Sequence, residues 1–351
     1  MIIHPSGIDR HQHRVQIGTV PHTLEVDLAG ASELDPGDVP DSAAHRFGDQ
    51  DLPAGGLVGD ARGDGDVAAE QIVAAAHRAA QVHADAHPDR WPPAVAVIEA
   101  FAPVSLDTLN ERAAMLERID GKYVLADSEV ALLLPALAAD FDILAVDGRR
   151  SFAYENCYFD GPDLQRYHDH HRGRRRRNKV RMRRYVDDDL CFVELKLKDR
   201  RGLTVKRRLA CDPAAYGALG DDATRYIGDA YEEAYQQVFP YKLSRSIETR
   251  YRRITLVGRN RPARVTFDSA ISFAGPGQQM QLGQHIHIVE TKSPTGNDIA
   301  DRLLRDLQQH PVDHCSKYCV GLALLQTDLK HNRFNPVLRR LAAAGPAWSD
   351  H

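Results

Sequence analysis

The chain has no paired cysteine framework. Its five cysteines, Cys157, Cys191, Cys211, Cys315 and Cys319, are odd in number and match no common zinc spacing. That excludes a disulfide-stapled secreted scaffold and a zinc module, and points to free thiols in a reducing compartment. Cys315 and Cys319 are spaced to share a helix face and read as structural rather than redox residues. No run of about eighteen apolar residues occurs, and the first residues lack a charged-then-apolar signal pattern, so the expectation is a soluble, cytoplasmic protein. A large excess of one charge sign is missing too. There are 45 Lys and Arg against 49 Asp and Glu, a formal net charge of −4. The protein as a whole is therefore no generic polyanion binder, and any basic site must be local.

Residues 1–95 lack more. They hold no Lys, Tyr or Cys, yet eight of the seventeen His and many Asp, Gly and Ala. With few large apolar side chains, this stretch cannot easily offset its ordering entropy, and it is read as a disordered extension. A second reading is an upstream stretch translated from too early a start codon, with the working protein beginning near Phe101 or at Met115. Only VAAEQIVAAAHRAAQVHADA (67–86) has the pattern of an Ala-rich helix. The His11–His13 pair has the form of a metal-ligand pair but lies in this segment and is not read as a site.

From residue 96 to 345 the signals are dense and describe one domain. Helices are expected over 104–119 with Asp107 as a cap, over 127–140, in PDLQRYHDHH from Pro162, in DPAAYGAL, in DATRYIGDAYEEAYQQVF, and in three segments after residue 296. Strands are expected in GKYVLA, SFAYENCYFD, KVRMRRYV, LCFVELKLKD, LTVKRRLA, SIETRYRRITLV, ARVTFDSAISF and QHIHIVETK. The turns VDDD and DRRG join three of them in succession, which favours an antiparallel sheet over βαβ units.

The stretch GRRRRNKVRMRRY (173–185) contains seven arginines, one lysine and no acid. Alternation gives it a meaning, because residues i, i+2 and i+4 of a strand share one face. Lys179, Arg181 and Arg183 then oppose Val180 and Met182. Glu194, Lys196 and Lys198 oppose Val193, Leu195 and Leu197. Lys206 and Arg208 alternate with Val205 and Leu209. Arg118, Asp120 and Lys122 align, as do Glu290 with Lys292, and Arg264 and Thr266 with Asp268. A solvated polar face accounts for one or two such strands and poorly for six. The consistent arrangement is α+β: an antiparallel β-barrel with a charged lumen and helices packed outside. Roughly ten cations facing each other at ~10 Å repel by several kcal/mol even at an effective dielectric near 20. A wide, wet lumen occupied by a polyanion relieves that, and a chain of phosphates suits arginine forks and lysine point charges. Glu194 and Glu290, with Asp120 as a third candidate, then read as ligands for a divalent cation on phosphate oxygens. The run Arg174–Arg177 precedes the alternating part. It reads either as a solvated loop or as a mouth that steers a phosphate ligand in or out.

At these residues the sequence resembles the VTC domain of polyphosphate polymerases, a branch of the triphosphate tunnel (CYTH-like) metalloenzymes. The resemblance runs from about Phe101 to about Leu341. It is carried by FAPVSLDTLNERAAMLERIDGKYVL, ENCYFDGPDLQRYHDH, RNKVRMRRYV, CFVELKLKDRRGLTVKRR, TRYRRITLV, ARVTFD, IVETK and CSKYCVG, in that order. It implies ATP bound through its triphosphate, Mn2+ or Mg2+ as cofactor, and transfer of the γ-phosphate to a growing polyphosphate with release of ADP. It implies phosphate contacts from Lys122, Arg181, Arg183, Lys196, Lys206, Arg253, Arg264 and Lys317, with Arg208 and Lys292 as additions, and a metal on Glu290. Glu194 joins as a metal ligand by its lumen-facing parity. Relatives work beside membrane proteins that thread the polymer across a bilayer, so a membrane-protein partner is implied.

The chain departs from that pattern twice. Asp120 stands where Glu is usual, and His314 stands three residues before Lys317, where a second base is usual. A histidine there makes binding of the product chain weaker or more pH-dependent. Rival readings are a tunnel triphosphatase, an adenylyl cyclase on the same clamp, and a non-catalytic sensor of polyphosphate or inositol phosphate. A nucleic-acid partner is not expected, because aromatics do not interleave with the bases and the net charge is negative. Nothing in the sequence sets the oligomeric state.

Overall fold

The computed structural model describes residues 95–113, 118–198 and 204–343. The extension expected over 1–95 lies outside the described residues up to 94, as do Met115 and the DRRG turn. The described chain opens with α1 (Val95–Glu99), β1 (Pro103–Val104) and α2 (Leu106–Arg112). Next come β2 (Ile119–Ala126), α3 (Asp127–Leu137), β3 (Phe141–Leu144), β4 (Phe152–Asp160) and α4 (Gln165–His171). Three successive strands follow, β5 (Arg177–Tyr185), β6 (Leu190–Lys198) and β7 (Thr204–Cys211), and then α5 (Asp221–Tyr235). The long strands β8 (Ser244–Gly258) and β9 (Arg264–Gly275) lead to β10 (Gln278–Gln281) and β11 (Ile286–Ser293). Helices α6 (Ile299–Asp306), α7 (Lys317–Leu325) and α8 (Asn335–Ala343) complete it.

The main sheet runs β2-β11-β9-β8-β4-β5-β6-β7, with every neighbouring pair antiparallel. The exception to antiparallel pairing is off this path, where β1 runs parallel to β3. Apolar residues of the strands face outward onto helices. Val180, Met182, Val193, Leu195 and Leu197 pack with Ile227, Ala230 and Tyr231 of α5. Leu125, Leu256, Phe267 and Val289 pack with Leu133, Leu134 and Leu137 of α3 and Leu304 of α6. Residues Val130, Leu133, Leu134 and Leu137 recur at helical spacing, which gives α3 one buried stripe.

The sheet is rolled. In a flat sheet β2 and β6 would stand about 29 Å apart, six strand spacings. Lys196 on β6 nevertheless lies within electrostatic reach of Lys122, Asp120 and Glu290 on β2 and β11. The roll is not closed by hydrogen bonds: among the described residues, β2 and β7 end the ladder without pairing to each other. Both free edges carry cations on the inner face, Lys122 on one and Lys206 and Arg208 on the other, so an open seam keeps like charges apart.

Several local expectations are corrected. The cap of α2 is Ser105, whose hydroxyl accepts from the Thr108 N–H at 3.2 Å, not Asp107, and the helix ends at Arg112. DPAAYGAL forms only a tight turn over Pro213–Ala215, and Gly217 takes φ +91° soon after, where a helix cannot continue. Helix α4 starts at Gln165 rather than Pro162. Its first N–H groups are taken by the carboxylate of Asp160, which accepts from Arg166 N and Tyr167 N at 3.1 Å each. Helix α5 stops at Tyr235, before Gln236 with φ +54°. Cys315 precedes α7, so it shares no helix face with Cys319, and all five cysteines are free.

Candidate functional site

The inner face of the rolled sheet is built by alternation. On β5 the positions Lys179, Arg181 and Arg183 share it. Across the ladder Lys179 stands opposite Lys196 and Arg181 opposite Glu194; then Glu194 stands opposite Arg208 and Lys196 opposite Lys206. On the other flank Glu290 stands opposite Lys122, Lys292 opposite Arg264, and Arg253 opposite Asp268. Every strand from β2 to β11 in the path, β4 excepted, therefore delivers at least one charge to the same concave surface.

Three carboxylates organise these cations, Glu194 and Asp268 buried and Glu290 partly buried, and each is shared. Glu194, 3% exposed, accepts from Arg181 at 2.5 and 2.8 Å, pairs with Lys206, and has Arg183 at 3.9 Å. Glu290 divides its two oxygens between Lys122 at 2.7 Å and Lys292 at 2.6 Å. Asp268 is gripped by Arg253 and also pairs with Lys317 from the first turn of α7. Burial opposes ionisation of all three, but the cations win and hold each carboxyl below its usual range: Arg181, Arg183 and Lys206 on Glu194, Lys292 and Lys122 on Glu290, Arg253 and Lys317 on Asp268.

The cations outnumber those acids, and burial, reinforced by neighbouring cations, lowers several of them. Among the described residues no carboxylate pairs with Lys179, Lys196 or Arg264. The Arg264 Nε is buried without a hydrogen-bond partner. Burial, then Arg118 and Arg253, lower the Arg264 guanidinium; burial and Lys122 lower Lys196. Lys179 is pushed down to about 8 by burial together with Lys196, Arg177 and Lys122, while its Nζ donates to the Ser316 hydroxyl at 2.7 Å. Lys206 is also pushed down to about 8, by desolvation and by Arg183 and Arg181, against the pull of Glu194. Lys122 is the exception, raised despite burial by Glu290; where Lys179, Lys196, Lys206 and Lys292 are depressed, a bound anion would relieve them.

Of the residues the sequence singled out, Lys122, Arg181, Arg183, Glu194, Lys196, Lys206, Arg253, Arg264, Glu290, Lys292 and Lys317 meet on this face. Arg208 shares its parity and, like Lys196 and Lys206, is exposed; its guanidinium lies over the Phe192 ring at 5.1 Å. His314 stands apart. It is exposed, takes φ +59°, and packs edge-on against His170 at 6.0 Å. Partial burial, Arg333 and Arg177 lower it below the ordinary histidine range.

Sequence reading missed an aromatic layer beneath the charges. Tyr154 and Tyr251 stack at 5.3 Å. Arg253 lies over both rings at 5.2 Å, Arg183 over Tyr154 at 5.4 Å, and Lys317 over Tyr251 at 4.7 Å. The Tyr158 hydroxyl accepts from Arg181 at 3.1 Å. Parity held the signal: Tyr154, Asn156 and Tyr158 alternate on β4, and Tyr251 precedes Arg253 by two. Asn156 orients Arg183 by accepting from its Nε at 2.9 Å. A second missed group lies behind α7. Asp160 also accepts the Tyr318 hydroxyl and pairs with buried Arg166 at 3.0 Å, which ties β4, α4 and α7 together and sets where Lys317 enters.

Among the described residues no group of three His, Cys, Asp or Glu could enclose a metal ion. The donor set does fit a cation held mainly by phosphate oxygens with one protein carboxylate, the usual arrangement for magnesium at nucleotides. Glu290 suits that role, because a bound phosphate chain could take its two lysines and free its oxygens. Glu194, inside three cations, is a counter-charge in this arrangement.

The family model described as the VTC domain matches residues 117–326. A comparison with curated proteins gives no significant match. Solved structures with similarity include a candidate adenylate cyclase from Bacillus halodurans, at 12% identity, covering 62% of this chain and 97% of that one, with a TM-score of 0.34. A candidate adenylyl cyclase from Hippeastrum with a dominant triphosphatase activity is 16% identical, with 61% and 100% coverage and a TM-score of 0.35. A Pyrococcus horikoshii protein is 12% identical, with 58% and 98% coverage and a TM-score of 0.33.

Proposed function

The chain belongs to the VTC domain family, and from that premise we propose that it is a metal-dependent polyphosphate polymerase that transfers the γ-phosphate of ATP to a growing polyphosphate chain. The observation that carries this reading is the concave face on which, among the described residues, no carboxylate forms an ion pair with Lys179, Lys196 or Arg264. Such a surface is complementary to a linear run of phosphates.

Phosphoryl transfer asks the protein chiefly for in-line placement and for neutralisation of charge on the equatorial oxygens. Arg181, Arg183 and Arg253 supply guanidinium forks whose planes are fixed from below by Tyr158, Asn156, Tyr154 and Tyr251. Lys196, Lys206 and Lys122 supply point charges along the bore. Lys317, paired with Asp268 at the start of α7, would hold the terminal phosphate of the acceptor chain, which is the nucleophile. Glu290 would hold Mn2+ or Mg2+, and the metal, when bound, adds Lewis-acid neutralisation of non-bridging phosphate oxygens. No protein nucleophile is needed.

Product analysis tests the reading. Incubation with ATP and Mn2+ or Mg2+ should yield ADP and long-chain polyphosphate. Free phosphate without polymer would make the protein a triphosphatase, cyclic AMP would make it a cyclase, and tight polyphosphate binding without turnover would make it a sensor. A membrane-protein partner that receives the polymer belongs to the same proposal; among the described residues no helix is long and apolar enough to cross a membrane.

A further inference from the structure

In the arginine run 174–177, Arg174 and Arg175 are exposed and Arg176 and Arg177 are half-buried. All four arginines line one cavity of about 530 Å³ between α4, the start of β5 and α5, walled by Tyr231, Tyr235 and Tyr241. Asp169 is the one carboxylate among its lining residues, and it is engaged by Arg174 at 3.2 Å and Gln165 at 2.7 Å. Arg176 is set in place, with its guanidinium over the Tyr235 ring at 4.2 Å and one nitrogen donating to the Tyr235 carbonyl at 2.9 Å. Arg177 donates to the Arg174 carbonyl at 2.6 Å, which fixes the turn of the run. The cavity thus has four cations against one carboxylate along its lining, with Arg174, Arg176 and Arg177 each held by a side-chain contact.

The cavity adjoins the bore through one strand. Arg177 opens β5 and shares the inner face with Lys179, Arg181 and Arg183, at about 6.6 Å per step. Lys179 lies within electrostatic reach of Arg177, which links the cavity's charge to that of the bore. We propose that this cavity is a second polyanion site, which binds a segment of linear polyphosphate that extends beyond the bore. The inference rests on the polymerase reading for the identity of its ligand. It does not need turnover for its test. A chain held at two places dissociates more slowly than one held in the bore alone, so the site would favour retention of long products.

The test is equilibrium binding of the full chain to tripolyphosphate and to polyphosphate of tens of phosphates, at fixed pH and two salt concentrations. Arg174 and Arg175 are exposed and outside the bore, so Arg174→Gln/Arg175→Gln should fold. It should weaken long-chain binding by roughly fivefold or more and flatten its salt dependence. Tripolyphosphate affinity should stay within about twofold of wild type. Gln237→Glu, which adds a negative charge to the cavity wall, should reproduce the length-selective loss. Unchanged long-chain binding in both variants would overturn the site, and so would an equal loss for both ligands, which marks a general field effect. Lys196→Ala serves as the contrast, since it should weaken both lengths. If ATP gives no polymer but the length-selective loss is seen, the polymerase reading falls and the cavity site stands.

Discussion

Arg253 meets Asp268 end-on from the neighbouring strand, Nε to Oδ1 at 2.5 Å and Nη2 to Oδ2 at 2.7 Å, and Lys317 pairs with the same carboxylate. Asp268 is 1% exposed, so the pair is a buried one whose removal leaves two cations facing each other. Asp268→Ala should lower stability by about 3–5 kcal/mol. Because the exposed cations then lack any partner, tripolyphosphate should raise the melting temperature of the variant by more than it raises that of wild type. Thermal melts with and without the anion read both effects. Equal anion shifts would show that Arg253 and Lys317 do not face a phosphate site.

Lys196 makes the opposite case. It pairs with no carboxylate among the described residues, and Lys122 repels it. Lys196→Ala should therefore leave the melting temperature unchanged or slightly higher. Turnover of ATP should fall at least about a hundredfold, the cost of losing one clamp on developing charge, ~2–4 kcal/mol. Near-wild-type turnover in a folded variant would remove Lys196 from the machinery.

The two lysines pushed down to about 8 give the site a pH dependence with a definite sign. Phosphate binding needs Lys179 and Lys206 protonated, so tripolyphosphate affinity should decline as pH rises from 7 to 9. Lys206→Arg, which stays charged, should flatten that decline. Stability moves the other way. The folded pKa lies below the model-peptide 10.5, so the unfolded chain binds more protons between about 8 and 10.5, and these lysines destabilise the fold less as pH rises through that window. The stability difference between wild type and Lys179→Met should shift accordingly toward wild type. Flat binding profiles for both wild type and Lys206→Arg would remove these lysines from the phosphate contacts.

The inner face was legible in the sequence because a strand's period of two is rigid. Once KVRMRRYV and FVELKLKD are unbulged strands with their apolar residues turned to the helices, Arg181, Glu194 and Lys196 fall together on the opposite side. Pairing partners were less legible. That Glu194 serves Arg181, Arg183 and Lys206 depends on the order of β5, β6 and β7 and on their register, which alternation alone leaves open. The aromatic layer escaped because Tyr154 and Tyr251 look like ordinary strand residues until their parity is compared with that of Arg253. Helix ends were the least legible. Asp160 caps α4 from outside the helix, and Gly217 and Gln236 stop helical segments through left-handed backbone that composition does not announce.

His314 offers a narrower test. With its imidazole held below the ordinary range by partial burial and by Arg333 and Arg177, it is neutral at pH 7 and charges only in more acidic solution. His314→Lys places a permanent charge beside the cavity end of the bore. Polyphosphate binding should strengthen severalfold at pH 7.5 and lose its rise toward pH 6. An unchanged affinity and profile would show that the product chain does not pass this residue.

Glu290→Gln separates metal from anion. The substitution keeps the shape of the side chain and leaves Lys122 and Lys292 without their shared carboxylate. In the presence of a chelator, tripolyphosphate should bind the variant at least as tightly as wild type, because two lysines are released to it and one negative charge is gone. With Mn2+ or Mg2+ and ATP, turnover should fall by about two orders of magnitude, and the metal concentration for half-maximal turnover should rise. Tighter anion binding combined with weaker metal dependence is a pattern that simple unfolding cannot give. If turnover and its metal requirement both stay at wild-type values, Glu290 is only a counter-charge to its lysines, and the divalent cation is held by phosphate oxygens without help from this carboxylate.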